Sequence, residues 1–233
     1  MGILAEIVGT LQNDAPVREV RAGSYWVAAW SRYCGLASTL GDSTEVDVEK
    51  LRGKSGRALA EMALSPVWRE AAVGIAAINS LLEVDEGRCH ELNARDLLME
   101  RGAGKKVALV GHFPFVPQLR EAVGELSVLE LQPRPGDLPS SEASRVIPEA
   151  DIVAITGTAF ISDTMEELLS YCRPDSLVVL LGPTAPLSPI LFEHGVDIIC
   201  GSRVTDVAAV LTQVSMNTSF REMTGLRMLA MQR

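Results

Sequence analysis

Three loops in the second half of the chain carry the side chains best suited to chemistry. Each loop follows an apolar run that predicts a buried strand. In an open parallel sheet, the loops that leave the carboxyl ends of the strands share one edge, and ligands bind there. We therefore expect one pocket at this edge. Its candidate ligand-binding residues are Gly111, Phe113, Thr156, Gly157, Thr158, Ser162, Thr164, Gly182, Pro183 and Thr184.

The first loop, Gly111-His112-Phe113-Pro114, contains the candidate catalytic residue, His112. An imidazole changes charge near neutral pH, so His112 could act as an acid, a base or a ligand. The alternative is a hydrogen bond from the ring to neighbouring backbone. The loop is not a GxGxxG turn, and Phe113-Pro114 would obstruct the close approach of a pyrophosphate. The sequence therefore disfavours an ordinary NAD site.

Two further acidic or hydroxyl-bearing positions have competing interpretations. Glu130 ends a predicted strand, where an acid binds the ribose hydroxyls of a nucleotide in proteins of this topology. It could equally be a solvated residue at a strand end. The segment Ser162-Asp163-Thr164 precedes a predicted helix and fits a capping box with Glu166 or Glu167. The same helix start could also attract an anion.

Metal-binding residues are poorly spaced in this sequence. Soft-metal ligands usually come in close pairs, whereas the neighbours Cys89 and His90 would point apart in a helix. Cys200 lies within an apolar strand, and its simplest interpretation is a core residue. We expect no preformed site made only of protein ligands. The sequence leaves open a divalent ion that a bound molecule carries or that is held loosely in a cleft.

The second part of the chain predicts an α/β domain. Strand patterns recur at 107–111, 127–131, 151–156, 176–182 and 196–200, and helical patterns at 117–125, 163–172, 188–194 and 205–214. This alternation is typical of a Rossmann-like parallel sheet covered by helices. The crossover at 132–150 is rich in proline and serine and predicts only a short helix. If this crossover returns the chain past the first strand of the domain, the five predicted strands lie in the order 2-1-3-4-5 across the sheet.

The first part predicts a small α+β domain, with a boundary near residue 104 that gives domains 1–104 and 105–233. A helix at 3–11 precedes a hairpin at 17–30, a third strand at 34–40, a polar turn at 41–43, and helices at 55–64, 68–82 and 94–101. From this domain we expect Asn79 and Glu61 to face the cleft, although a structural hydrogen bond and a surface position are the respective alternatives. Ser202, beside Arg203, follows the last predicted strand.

Composition excludes several classes of function. The net charge of −9 is spread over 233 residues without a basic tract, which argues against nucleic-acid binding. No apolar run approaches the roughly 18 residues of a membrane span, and the N-terminus does not have the pattern of a signal peptide. The four cysteines are far apart and indicate reduced thiols. We expect a cytoplasmic protein.

Several motifs resemble those of an uncharacterised family known as "putative heavy-metal chelation". They are SGRALAEMALSP (55–66), VGIAAINSLL (73–82), VALVGHFPFV (107–116), ADIVAITGTAFISDT (150–164) and GPTAPLSPILFEHGVDIICGS (182–202). The resemblance implies a domain like the N-terminal domain of enolase, followed by a Rossmann-like domain, with a site between them.

The sequence is compatible with three classes of function. The resemblance favours a protein that binds a metal ion, or a metal-bearing or anionic small molecule, in the cleft. The weak metal-ligand spacing favours an enzyme with a nucleotide-like cofactor such as S-adenosylmethionine, with Glu130 on the ribose and His112 as acid or base. A small-molecule sensor without turnover is the third. A homodimer is compatible with each of them, and the ligand, the metal and the reaction stay open.

Overall fold

The computed structural model describes residues 2–41 and 46–233. Asp42 and Ser43 of the predicted polar turn lie outside these ranges. Within them the strands are β1 Glu19–Ala22, β2 Trp26–Trp30, β3 Cys34–Ser38, β4 Cys89–Glu91, β5 Lys106–Val110, β6 Glu125–Glu130, β7 Leu138–Pro139, β8 Ile152–Thr156, β9 Leu177–Leu181, β10 Ile198–Val204 and β11 Leu226–Gln232. The α-helices are α1 Ile3–Thr10, α2 Gly56–Ala60, α3 Trp68–Leu81, α4 Ala94–Arg101, α5 Val116–Ala122, α6 Ala143–Val146, α7 Met165–Ser170, α8 Ile190–Glu193 and α9 Val207–Ser215.

A small antiparallel sheet, in the order β1-β2-β3, forms the first layer. The predicted hairpin around Gly23-Ser24 is confirmed, since β1 pairs with β2 in antiparallel register. Helix α3 packs directly on β3: a β-carbon on Gly35 would collide with the backbone of Ala76 and Asn79. Every residue of α3 from Ala71 to Ile78 is buried, as its all-apolar pattern predicts.

The large sheet has eight strands in the order β4-β11-β10-β9-β8-β5-β6-β7. From β10 to β7 the neighbouring strands run parallel. The predicted order 2-1-3-4-5 is therefore confirmed, with β5 and β8 adjacent at the point where the order reverses. Residues 107–109 of β5 and 152–155 of β8 are buried on both faces, as in a sheet that helices cover on each side. The predicted α/β class, a small antiparallel sheet joined to a large mostly parallel one, is confirmed.

Two antiparallel strands extend the sheet beyond what the sequence predicts. β11 pairs with β10 along seven residues, and β4 pairs with β11 at the edge. β4 precedes the expected domain boundary at residue 104 and still belongs to the large sheet. The boundary itself stays a prediction. In the part of the chain that the structure describes, no helix combines the length and the apolar character needed to cross a membrane.

Local signals explain the ends of some helices. The side chain of Asn93 accepts a hydrogen bond from the backbone amide of Arg95 and caps α4, as predicted, and Gly102 follows its last residue. The crossover after β6 contains only the short helix α6, which also agrees with its composition. The predicted capping box before α7 is wrong: Thr164 makes no side-chain cap, and Asp163 has a φ of 56°. Glu166 instead accepts a hydrogen bond of 2.7 Å from the amide of Ile3.

Candidate functional site

The carboxyl edge of the large sheet borders a pocket of about 600 Å³, which we call the aromatic pocket. The small sheet contributes Trp26 and Ser38, the loops after β5 and β9 contribute residues 113–115 and 182–184, and the start of α4 and the segment before β11 contribute further residues. The residues that define it are Trp26, Ser38, Arg95, Phe113, Phe115, Thr156, Gly182, Pro183, Thr184, Phe220 and Arg221. Its size is typical of small-molecule sites.

A second pocket of about 280 Å³, the hydroxyl pocket, lies at the same edge. It is bordered by the ends of β5, β6 and β8 and by the crossover that follows β6. The residues that define it are Gly111, Glu130, Ser140, Ser141, Ser144, Thr156, Thr158, Ser162, Thr164, Glu167 and Tyr171. Thr156 borders both pockets.

The expectation of one shared pocket is therefore wrong, and Gly157 supplies the physical reason. A β-carbon on Gly157 would lie 2.5 Å from the amide nitrogen of Ala185 and 2.9 Å from its Cα. The loops after β8 and β9 thus pack backbone against backbone and form a wall where the sequence predicted open space. Gly157 serves this contact between the two loops and lines neither pocket.

Gly182 differs from Gly157 in just this respect. A β-carbon at position 182 would meet no atom within 4 Å, and Gly182 lines the aromatic pocket. Its φ of 106° is strongly unfavourable for other residues. At this position glycine leaves the backbone accessible from the pocket, which is the role that the sequence suggested for both glycines.

The aromatic pocket combines ring systems with positive charge. Phe113 stacks on Phe115 with ring centroids 5.2 Å apart, and Trp26 lies 5.7 Å from Phe220. Arg221 donates a hydrogen bond of 3.2 Å to the carbonyl of Pro114, and Arg95 pairs with Asp96, outside the lining, at 2.8 Å. Of the described residues that line this pocket, none is acidic. The charged side chains among the described lining residues are therefore both arginines.

The hydroxyl pocket has the opposite character. The Thr156 and Thr158 hydroxyls lie 3.0 Å apart, as do those of Ser162 and Thr164. Glu167 accepts a hydrogen bond of 2.6 Å from the Tyr171 hydroxyl. No lysine, arginine or histidine occurs among the described lining residues. Hydroxyls and carboxylates without cations favour neutral or positively charged molecules that donate hydrogen bonds.

Glu130 lines the hydroxyl pocket, but backbone amides already engage both of its oxygens. Oε1 accepts from the amide of His112 at 3.1 Å, and Oε2 accepts from Leu131 at 2.6 Å and Gln132 at 3.3 Å. The carboxylate therefore braces the loop after β5. A ribose would have to compete with these three amides, which weakens the role suggested from its position.

His112 has a partner that the sequence did not reveal. Its Nδ1 lies 2.8 Å from Oδ2 of Asp137, whose side chain is only 1% exposed, whereas the His112 side chain is 17% exposed. Asp137 comes from the proline-rich crossover, where Pro135-Gly136-Asp137 reads as an ordinary turn. That turn gave no hint of a contact with the loop after β5. His112 itself is not among the residues that line either pocket.

Besides His112 and Gly157, three expected site residues line neither pocket. Asn79 donates a hydrogen bond of 3.1 Å to the carbonyl of Leu36 and longer ones to Pro183 and Thr184, so it links α3 to β3 and to the loop after β9. Glu61 is an exposed residue after α2. Ser202 pairs with Met228 within the sheet. The sequence missed Trp26, Arg95, Phe220 and Arg221, because their sequence neighbourhoods carry no motif.

The fit to a heavy-metal ion can be judged from the ligands that the chain offers. No group of three or more His, Cys, Asp or Glu side chains suited to a metal occurs in residues 2–41 and 46–233. Burial raises the pKa of Cys34 and of Cys200 to about 12 and that of Cys172 to about 11. Metals bind thiolates, so these protonated thiols are poor ligands at neutral pH. The residues do not fit a site formed by the protein alone.

Comparison with known proteins identifies relatives that share this sequence pattern and fold. The alignment with an uncharacterized protein of Methanocaldococcus jannaschii is 31% identical over 157 residues and spans 64% of this chain and 61% of that protein. A crystal structure of a DUF364 family protein of unknown function from Desulfitobacterium hafniense DCB-2 superposes with a TM-score of 0.91 at 28% identity, covering 99% of this chain and 98% of the other. One from Pyrococcus horikoshii, 20% identical with a TM-score of 0.80 and the same coverage, shares the fold.

Two family profiles match the chain, and both are described as "Putative heavy-metal chelation". DUF4213 matches residues 5–82 and DUF364 matches residues 93–232, which is more than half of the chain. Together they cover the small sheet, every strand of the large sheet except β4, and the described residues that line both pockets. The chain belongs to the DUF364 family, described as "Putative heavy-metal chelation".

Proposed function

We propose that the protein binds an anionic, ring-containing small molecule in the aromatic pocket, and that this molecule can itself carry a metal ion. The observation that carries the proposal is the lining of a 600 Å³ pocket by aromatic rings and two arginines, with no acidic residue among the described lining residues. Aromatic side chains offer flat apolar surfaces to a ring, and guanidinium groups pair with carboxylates or phosphates.

The metal, on this proposal, is held mainly by the small molecule. The family description points to metal chelation, whereas the described part of the chain offers no cluster of metal ligands and its most buried thiols stay protonated. A chelator that brings its own ligands reconciles these two observations. The protein then recognises the rings and the negative charge of the chelator.

The pocket lies between the two sheets, and this supports a cleft between two domains, 1–104 and 105–233. Thr184, 1% exposed, accepts a hydrogen bond of 2.9 Å from the amide of Ser38 and donates one of 3.1 Å to its hydroxyl. These bonds join β3 to the loop after β9 at the pocket wall. A homodimer and a cytoplasmic location are further parts of the proposal, tested by light scattering on the purified protein and by cell fractionation.

An enzyme with a nucleotide-like cofactor such as S-adenosylmethionine is the second candidate. One observation favours it: Glu130 lines the hydroxyl pocket next to several hydroxyls at the end of the strand beside β5. The three amides that Glu130 already accepts count against it. Saturable binding of S-adenosylmethionine that Glu130→Gln weakens would favour this candidate over the first.

Calorimetric titration with pyridine-2,6-dicarboxylate tests the first candidate, because this planar dianion chelates divalent metals. Three samples are compared: the free dicarboxylate, its nickel complex and nickel ion alone. We expect saturable binding of the first two and none of nickel alone. Saturable binding of nickel alone with no binding of the dicarboxylate would contradict the proposal. A Gly182→Val variant, which fills the pocket next to the backbone, should lose the binding, and Glu167→Gln in the other pocket serves as its control.

A further inference from the structure

His112 and Asp137 form a pair that neither the family description nor the pockets account for. The Asp137 carboxylate is almost fully buried, with 1% of the side chain exposed, and its Oδ2 accepts from His112 Nδ1 at 2.8 Å and from the amide of Arg134 at 3.1 Å. A buried carboxylate needs hydrogen-bond donors, because leaving it unpaired is costly. His112 Nδ1 must therefore carry its proton towards Asp137.

This arrangement determines what the other ring nitrogen can do. In a neutral imidazole only one nitrogen bears a proton, so a proton on Nδ1 leaves Nε2 as an acceptor. Within the described residues, Nε2 has no hydrogen-bond partner, and the side chain is 17% exposed. The backbone of His112 is held as well, since its amide donates to Glu130 at 3.1 Å. Both the loop and the ring are therefore fixed in place.

The position of His112 connects it with the candidate site. Gly111 lines the hydroxyl pocket and Phe113 lines the aromatic pocket, so His112 lies between two lining residues in the sequence of the loop after β5, and its own side chain lines neither pocket. A histidine oriented by a carboxylate through Nδ1, with Nε2 unengaged, is the arrangement that general bases and their positioning residues share.

We propose that His112 is a base at this edge of the sheet and that Asp137 is its positioning residue. Nε2 accepts a proton from an O–H or N–H group of a bound molecule; that molecule is left as its conjugate base and the ring becomes an imidazolium. The buried Asp137 carboxylate stabilises the positive charge on the ring. The substrate class is therefore a small molecule with an acidic hydroxyl or ring N–H group.

The other two histidines of the chain provide internal controls. His194 engages its Nε2 rather than its Nδ1, at 2.8 Å from Glu6. His90 is exposed on β4, and no hydrogen bond of its ring occurs within the described residues. The three rings should therefore differ in tautomer and in the reactivity of Nε2.

The test uses the full chain labelled with nitrogen-15 in histidine. Long-range proton–nitrogen correlation spectra at about pH 8.5, well above the ordinary histidine pKa of about 6.5, report which nitrogen carries the proton. We expect Nδ1–H for His112 in the wild type and a shift towards Nε2–H in Asp137→Ala. His112→Gln identifies the signals. Asp137→Asn, which keeps an oxygen acceptor, should retain more of the Nδ1–H form than alanine does.

Acylation by diethyl pyrocarbonate, followed by mass spectrometry of each histidine peptide, measures the reactivity of Nε2. We expect Asp137→Ala to slow the reaction of His112 severalfold, because the carboxylate holds the proton on Nδ1 and leaves the Nε2 lone pair free to react, and to leave His90 unchanged. A wild-type His112 with its proton on Nε2, or equal His112 rates in wild type, Asp137→Asn and Asp137→Ala, would overturn the proposal. Neither readout uses a ligand, so its result is independent of anion binding in the aromatic pocket.

Discussion

The aromatic pocket and the hydroxyl pocket share one edge of one sheet and one residue, Thr156, yet their linings have opposite chemistry. The first has rings and arginines, and the second has hydroxyls and carboxylates. The strands deliver the backbone to the same edge in both cases. The difference therefore comes from the loops and from what faces them: the small sheet and the segment before β11 on one side, the crossover after β6 on the other.

The contrast also bears on the family description. If the protein alone chelated a metal, acidic, thiolate or imidazole groups should converge in one of the two pockets. Among the described lining residues, the hydroxyl pocket has two glutamates, one of which is engaged by three amides, and the aromatic pocket has Cys200 as its single thiol. On these residues, neither pocket offers a ready set of metal ligands.

The largest expected effect concerns the rate at which the Cys200 thiol is labelled. A reactive thiolate at Cys200 would give the aromatic pocket a metal ligand and contradict its contrast with the hydroxyl pocket. Burial raises its pKa from 9.0 to about 12, so at pH 8 the thiolate fraction should be about 10³-fold lower than in the unfolded chain. We expect 5,5′-dithiobis(2-nitrobenzoate) to label Cys200 correspondingly more slowly in the native protein than in urea. Mass spectrometry of the labelled peptides measures both rates.

The sign of the pH dependence follows from the same shift. The folded pKa of Cys200 is the higher one, so its contribution to stability is complete below about pH 9 and is lost as the pH rises towards 12. Fast native labelling of Cys200 at pH 8, together with zinc binding that Cys200→Ala abolishes, would show that the aromatic pocket is a thiolate site after all.

The wall between the pockets gives the next largest effect. Gly157→Ala places a β-carbon 2.5 Å from the backbone nitrogen of Ala185, so we expect the free energy of unfolding to fall by about 3 kcal/mol. Gly9→Ala is the matched control: a β-carbon at position 9 meets no atom within 4 Å and the φ of Gly9 is not positive, so the free energy of unfolding should not fall. Urea denaturation of both variants measures the difference. Equal losses would mean that the two loops do not form a rigid wall.

Thr184 gives a smaller effect that is specific to the aromatic side. Thr184→Val removes the buried hydroxyl that accepts a hydrogen bond from the half-buried amide of Ser38, and we expect a loss of about 1–2 kcal/mol in the free energy of unfolding. Thr158→Val, whose hydroxyl lies in the hydroxyl pocket, should change it by less than about 0.5 kcal/mol. A larger loss in Thr158→Val would indicate that the hydroxyl network, rather than the Thr184 link, stabilises this edge.

The sequence predicted the central sheet because its strands are apolar on both faces, and this pattern needs no partner to be recognised. The order of β6, β5, β8, β9 and β10 followed from the long crossover at 132–150. The edge strands β11 and β4 were missed. β11 reads LRMLAMQ, with leucines and methionines that are equally suited to a helix, and β4 has three residues; only pairing with β10 and β11 makes them strands.

The candidate site was predicted less well, for a related physical reason. Gly111, Thr156 and Gly182 follow strands, so their placement at one edge could be deduced. The contact of Gly157 with Ala185 and that of His112 with Asp137 join loops whose conformations have no periodic pattern. The same holds for Arg221 and Phe220, which reach the pocket from the segment before β11. Contacts of this kind depend on the packing of the whole fold.

The most direct test of anion binding in the aromatic pocket compares a dianion with its neutral counterpart. Calorimetry would measure the dissociation constants of pyridine-2,6-dicarboxylate and pyridine-2,6-dimethanol for the wild type, for Arg95→Gln/Arg221→Gln and for Glu167→Gln. We expect the arginine variant to bind the dicarboxylate about tenfold more weakly, a modest loss because both guanidinium groups are exposed, and to bind the dimethanol as the wild type does. Glu167→Gln should change neither. Equal affinity for the dicarboxylate in the wild type and the arginine variant would contradict the account.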